Sequence, residues 1–249
     1  GVSESFHQYN IYNIWLFIFP IAGILFSTII IKLLFKGKID KGLGGILYAI
    51  SHKSSKLEGK KTYSHILTSG ITVGLGGSAG LEAPIAITGS AIGSNISDLF
   101  MLGQKERTIL LACGAASGIA SVFNSPIAGV IFAMEVLLTE FTIPSFIPLL
   151  ISTASATIIS KLLYGGQLFY LISNEWYFNA IPFYILLGIL CGLISVYMKR
   201  VTLFLEEYFE DRKDNKKILL GLFLTGLLIF VFPPLFGEGY NSIDVLLTG

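Results

Sequence analysis

Apolar residues run through this chain in blocks rather than on one face of each helix. Residues 12–35 form the first block, long enough to cross a hydrocarbon core of about 30 Å, which takes about 20 apolar residues. Residues 42–51 are apolar but too short to span. After a basic loop, residues 63–77 and 84–100 follow each other with no charged loop between them. Residues 108–122 and 126–141 are again short blocks, parted by Phe123, Asn124 and Ser125. Residues 147–163 make a fuller span. Residues 181–201 run on into an amphipathic, charged tail, and residues 218–232 stop at Pro233 and Pro234. The pattern predicts an all-α integral membrane bundle that mixes full spans with short segments abutting at Gly and Pro. Irregular backbone at membrane depth is tolerated only where protein buries it or a cavity is lined by it. Broken helices whose ends meet near the midplane are the usual mark of an ion site.

Composition supports a membrane solvent. The 249 residues are 53% hydrophobic and 13% charged, with a mean hydropathy of +0.74; soluble domains carry roughly 25% charged residues. The charges cluster at block edges: eight of the 17 Lys and Arg precede position 62, and six more fall in 199–217. A net charge of +1 gives no reason to expect a nucleic-acid partner. Cys113 and Cys191 lie inside apolar blocks and read as small packing residues, with no Cys-His metal spacing and no cofactor implied. His7, His52 and His65 lie in or beside loops and read as solvated or interfacial, while Trp15 and Trp176 fit interface anchors. No signal peptide is visible. A first residue Gly1 rather than Met, and an end without a charged tail, make a fragment of a longer chain the expectation.

Small residues recur at helix-packing spacing: Gly70 and Gly74, Gly89 and Gly93 with Ser90 and Ser94, Ala112 and Ala116 with Gly114 and Gly118, Gly188 and Gly192. In lipid such positions let backbones approach closely. They predict a tightly packed bundle and say nothing about substrate.

Two acids stand inside the apolar blocks. Glu82 sits in GSAGLEAP, two residues before Pro84, a residue preorganised for the first turn of a helix. Amides of a first turn point outward without intrahelical partners and carry partial positive charge, so an anion can rest there without a cationic side chain. Glu82 is itself an anion at that end, able to occupy such a site or leave it. The bland reading is a carboxylate that only stabilises its own helix. Glu135 follows Pro126 by nine positions in NSPIAGVIFAMEVLL, roughly 14 Å along a helix; its bland reading is a snorkelling or paired interfacial acid. Residues 74–79 satisfy GxGxxA, but flanks apolar all round exclude a soluble dinucleotide fold, Ser78 lacks a G-x-S-x-G frame, and no P-loop lysine follows.

GSAGLEAP resembles the G-[K/R]-E-G-P signature of the CLC chloride channels and transporters. LLACGAASGIASVFNSPIAGVIFAMEVL is similar to that family's next segment, and PPLFGEGY to its P-x-x-x-G-x-G. The resemblance runs from Tyr12 to Gly249 and covers roughly half of the family fold: one incomplete transmembrane domain, with first-half helices over 12–164 and the start of the second half over 180–249. It implies chloride or a similar small anion as substrate, channel-like or in exchange for protons, with no enzymatic role. Glu82 would be the gate, with Gly80, Leu81, Ala83, Pro84 and Ile85 around the anion. The family's G-S-G-I-P should fall near Lys41, Gly42 and Leu43, with Lys41 in place of the serine and Gly44 in place of the proline. Exchangers of the family usually carry a proton-relay glutamate one position after Glu135; here Val136 stands there, which favours passive conduction or another coupling route. The family's G-x-F-x-P and later tyrosine would lie beyond Gly249. A homodimer in a lipid bilayer, the bacterial plasma membrane, is implied in the same way. The alternatives are a proton-coupled secondary transporter of another fold, with Glu82 and Glu135 as proton carriers, and a purely structural membrane bundle.

Overall fold

The computed structural model describes residues 15–35, 42–138, 143–164, 178–209 and 215–240. They are helical: α1 Trp15–Phe35, α2 Gly44–His52, α3 Lys61–Gly74, α4 Glu82–Leu99, α5 Gln104–Phe123, α6 Pro126–Phe132, α7 Ile143–Leu163, α8 Ile181–Phe209 and α9 Asn215–Val231. Four are long and apolar enough to cross a membrane: Trp15–Phe35, Gln104–Phe123, Pro144–Leu163 and Phe178–Tyr208. The short blocks at 42–51 and 63–77 become the short helices α2 and α3, whereas the short block at 108–122 becomes the 20-residue α5, which is long enough to span. At about 1.5 Å per residue the 14 residues of α3 carry the chain about 20 Å, less than the hydrocarbon core.

Three boundaries depart from the pattern. α4 begins at Glu82, so Pro84 stands third in the helix rather than first. The position is permitted because the first four N–H groups of any helix lack an intrahelical partner. α5 begins at Gln104, four residues before its apolar block, with Lys105, Glu106 and Arg107 in its first turn. α6 ends at Phe132 and passes into a π-helical turn, Ala133–Leu137, which contains Glu135 and Val136.

The chain divides into two compact units, Gly1–Phe169 with Gly226–Gly249, and Tyr170–Thr225. In the first, Leu111, Leu137, Leu149 and Ile46 fill the core, and the contact between α4 and α5 is made by Ala and Gly. Ala86 and Ala91 of α4 and Ala112, Ala115 and Ala116 of α5 are fully buried. A Cβ on Gly89 would overlap the Gly114 carbonyl, a Cβ on Gly114 the Gly89 carbonyl, and a Cβ on Gly93 the Leu110 carbonyl. Backbone therefore meets backbone along α4 and α5, the contact that small residues permit in lipid. α7 lies across α5, with Ser160 Oγ donating to Ser121 O at 3.0 Å. α3 lies against α1, with Ser27 Oγ donating to Thr68 O at 3.2 Å. The other glycine pairs do not share this role among the described residues: Gly70, Gly74, Gly188 and Gly192 have none of those residues within 4 Å of a Cβ position.

Cys113 is buried in this core, but Cys191 is exposed on α8, so only the first has the expected packing role here. His65 corrects the loop expectation: it is buried in α3, whereas His52 is exposed at the end of α2 and stacks on Tyr48. His7 and Trp176 lie outside the described residues; Trp15 is half exposed at the start of α1. In the second unit every described side chain of α8 is exposed, as expected for an apolar helix whose solvent is lipid or further protein.

The α4–α5 corner is held by polar groups. Arg107 is buried; its Nη2 lies 2.6 Å from Asp98 Oδ1, and its Nη1 donates to Ser54 O at 3.1 Å. Ser94 Oγ donates to Ser55 O at 2.8 Å and accepts from Leu57 N at 3.0 Å. Ser54 and Ser55, both in left-handed backbone, are thus pinned over the corner. Arg107→Leu is expected to cost about 2–3 kcal/mol, since charge-assisted bonds contribute about 1.5–3 kcal/mol and the partly exposed Asp98 regains water. Thermal denaturation in detergent checks it; a midpoint equal to wild type would show that the corner is held by packing alone.

Candidate anion site at the start of α4

The site begins where α3 stops. Leu75 N–H donates to Ile71 O at 3.1 Å, Gly76 N–H to Val73 O at 2.8 Å and Gly77 N–H to Thr72 O at 2.8 Å, closing the last turn of α3. Gly76 has φ +89°, a conformation that costs glycine little and other residues much. The chain then crosses Ser78, Ala79 and Gly80 and enters α4 at Glu82. Ile85 N–H is already engaged, donating to Leu81 O at 3.0 Å, and Pro84 has no N–H. Of the residues expected around an anion, Ile85 and Pro84 therefore offer no amide there. Glu82 and Ala83 remain as the first-turn amides of α4, without an intrahelical carbonyl to receive them.

The Glu82 side chain folds back along the chain: a Cβ on Gly80 would collide with its Oε2. The glycine two residues before the acid leaves the space in which the carboxylate lies. The residue is half-buried, not free in water.

A third segment arrives from the far end of the sequence. After α9, Pro233–Leu235 forms a single 3₁₀ turn, and Gly237 (φ +75°) and Gly239 (φ +79°) let the backbone double back. Gly237 N–H donates to Gly76 O at 3.1 Å, and the Phe236 ring occupies the space that a Cβ on Gly76 would take. This docking brings Tyr240 to Glu82: Tyr240 Oη donates to Glu82 Oε1 at 2.5 Å, across 158 positions of sequence. The turn lies outside the spanning helices. Burial first, then the hydrogen bond and charge of Glu82, then the charge of Glu238, push the Tyr240 phenol above its ordinary value. It therefore stays protonated and serves as the donor. Glu238, mostly exposed on the same turn, has its carboxyl raised by partial desolvation and then by the Glu82 charge.

Sequence reading missed Tyr240. Its only signal was the P-x-x-x-G-x-G resemblance just before it, which marks a turn without saying where the turn docks. The other expected site residues stand elsewhere. Gly42 (φ +56°) and Leu43 lead into α2, whose principal neighbour is the π-turn, and Lys41 lies outside the described residues. Glu135 is exposed on that π-turn, and the neighbouring Val136 packs on the core. Leu138 N–H donates to Ala133 O at 3.0 Å, the wider register that opens a helix by one residue.

The chain is similar to known proteins along most of its length. It is 32% identical over 192 residues to the H(+)/Cl(−) exchange transporter ClcA of Vibrio cholerae, covering 71% of this chain and 40% of that protein. It is 28% identical over 193 residues to the chloride channel protein CLC-e of Arabidopsis thaliana, covering 71% of this chain and 27% of that one. The chain thus spans less than half the length of these two curated relatives. Its fold matches the crystal structure of a slow cyanobacterial Cl−/H+ antiporter with a TM-score of 0.75 at 25% identity, over 92% of this chain and 56% of that one. A family model described as voltage gated chloride channel matches residues 22–249, and the chain belongs to that family, the CLC channels and transporters.

Proposed function

We propose that the full-length protein moves chloride or a similar small inorganic anion across a membrane, with Glu82 as the gate, and that it is a channel or exchanger rather than an enzyme. The observation that carries this is the seat of the Glu82 carboxylate at a junction of helix ends. α3 stops there, α4 starts there, and the turn after α9 docks on both. First-turn amides of α4 favour negative charge. A carboxylate beside them competes with a free anion for the same place, and protonation or displacement ends the competition. Gly80, Leu81 and the amides of Glu82 and Ala83 are the groups nearest that place in the chain; Gly42 and Leu43, with Lys41, would belong to a second approach led by α2.

Val136, where exchangers of the family usually carry a proton-relay glutamate, favours conduction without strict proton coupling. Glu135 beside it remains a proton-path residue to test. The relatives' names include both a channel and an exchanger. A homodimer in the bacterial plasma membrane, each subunit with its own pore, completes the proposal. A proton-coupled transporter of another fold is not favoured, since the fold is that of the CLC proteins.

The test is the full-length protein in liposomes, with chloride efflux read by an electrode and proton movement read at the same time. Chloride flux above that of protein-free vesicles is expected, with proton movement below the fixed ratio of a coupled exchanger. Absence of anion flux for chloride, fluoride and nitrate alike defeats the proposal.

A further inference from the structure

We infer that Tyr240 is a positioning residue for the gate: its phenol latches the Glu82 carboxylate in its seat, so that release of the carboxylate requires loss of this hydrogen bond. The inference rests on the reading of Glu82 as the gate and goes beyond it by assigning what holds the gate shut.

The seat has two sides. Oε2 occupies the space left by the missing Cβ of Gly80, and Oε1 accepts from Tyr240 Oη at 2.5 Å. The donor is not on a free arm. Its turn is tied to the end of α3 by Gly237 N–H to Gly76 O at 3.1 Å and by the Phe236 ring over Gly76. The latch therefore spans the junction: its acceptor is on α4, while its donor is carried by a turn fixed to α3.

A hydrogen bond to an ionised carboxylate is roughly twice as strong as one to a neutral acceptor. Protonating Glu82 thus weakens the latch at the same moment as it removes the competing charge, and both effects free the seat. Among the described residues, the ionisable groups at this junction come from the docked turn. Residues 75–81, between α3 and α4, contain none, and the docked turn offers Tyr240 and Glu238. The Glu238 charge repels an ionised Glu82 and favours release, so Tyr240 is the group on that turn that opposes it.

The test compares wild type, Tyr240→Phe, Glu82→Gln and the double variant, full length, in liposomes, with chloride flux measured from acid to neutral pH. Tyr240→Phe keeps the ring and removes the donor. Its flux at neutral pH is expected to rise about tenfold, and its acid activation to move up by about one pH unit, the equivalent of a charge-assisted bond of modest strength. In the Glu82→Gln background the same change is expected to do nothing, because the charged acceptor is gone. A wild-type pH profile in Tyr240→Phe, with Glu82→Gln altered, overturns the latch alone. A shift of equal size with and without Glu82 overturns it as well, by showing a general effect on the turn. An unaltered Glu82→Gln profile overturns the gate reading, and the latch with it. Gly80→Ala gives an independent reading should Tyr240→Phe fail to fold: its methyl displaces Oε2 from the same seat, and the same upward shift is expected. A Gly80→Ala profile identical to wild type counts against the seat.

Discussion

Replacing Glu82 with glutamine in the full-length protein is expected to raise chloride flux at neutral pH and to leave it nearly flat from acid to neutral. Glutamine has the shape of the protonated acid. It fits the space over Gly80, but it brings no charge to the first turn of α4 or to the Tyr240 hydrogen bond. A free anion then meets no fixed anion in competition. In the wild-type protein each pH unit of acidification multiplies the protonated fraction of a mostly ionised carboxylate by about ten, so flux should vary at least tenfold between acid and neutral pH. In the variant it should vary less than about twofold, the residue of other titrating groups. Chloride efflux from liposomes buffered at several pH values measures both. A variant that keeps the wild-type profile would remove Glu82 from the gate.

Gly114→Leu is expected to prevent assembly of the first unit. The obstacle is not a movable side chain but the Gly89 carbonyl, and Gly89 is as close to the Gly114 carbonyl in return. Overpacking against flexible neighbours costs typically about 1–3 kcal/mol; here the backbones of α4 and α5 must separate, and the cost should exceed that range. Separation would also draw the Gly93 backbone from Leu110 and strain Arg107 away from Asp98 at the end of the same helix pair. Size-exclusion in detergent should show aggregated or absent Gly114→Leu protein. Gly70→Ala, at a position with open space around it, should run as wild type. A monodisperse, thermally unchanged Gly114→Leu protein would mean that α4 and α5 are not in backbone contact.

The two predictions draw on parts of the chain that were unequally visible in its residues. Apolar length separates the long α1 and α7 from the short α2 and α3, but not α5, whose charged first turn lengthens a short apolar block to a spanning helix. α3 and α4 meet end to end because only six residues, with Glu82 their one charge, separate their apolar blocks. Pro126 starts α6 as its fixed φ demands, and the acid at Glu82 is conspicuous because burial of an unpaired charge is costly. The glycines were visible only as a class. Spacing cannot tell that Gly89 and Gly114 meet while Gly70 and Gly188 face open space. That distinction depends on which helix lies beside which. The burial of His65 in α3 was hidden for the same reason.

By itself the sequence determined the solvent, the helical class, the short segments that end together, and a carboxylate at the start of one of them. Each follows from properties of single residues or of their neighbours along the chain: transfer cost, backbone freedom, and the missing N–H of proline. Only the tertiary structure decided that the turn at Phe236–Tyr240 docks on Gly76 and hands a phenol to Glu82, and that the helix carrying Glu135 opens into a π-turn. The Tyr240–Glu82 pair joins residues 158 positions apart. Its existence depends on how the intervening helices pack, a quantity that no local pattern encodes.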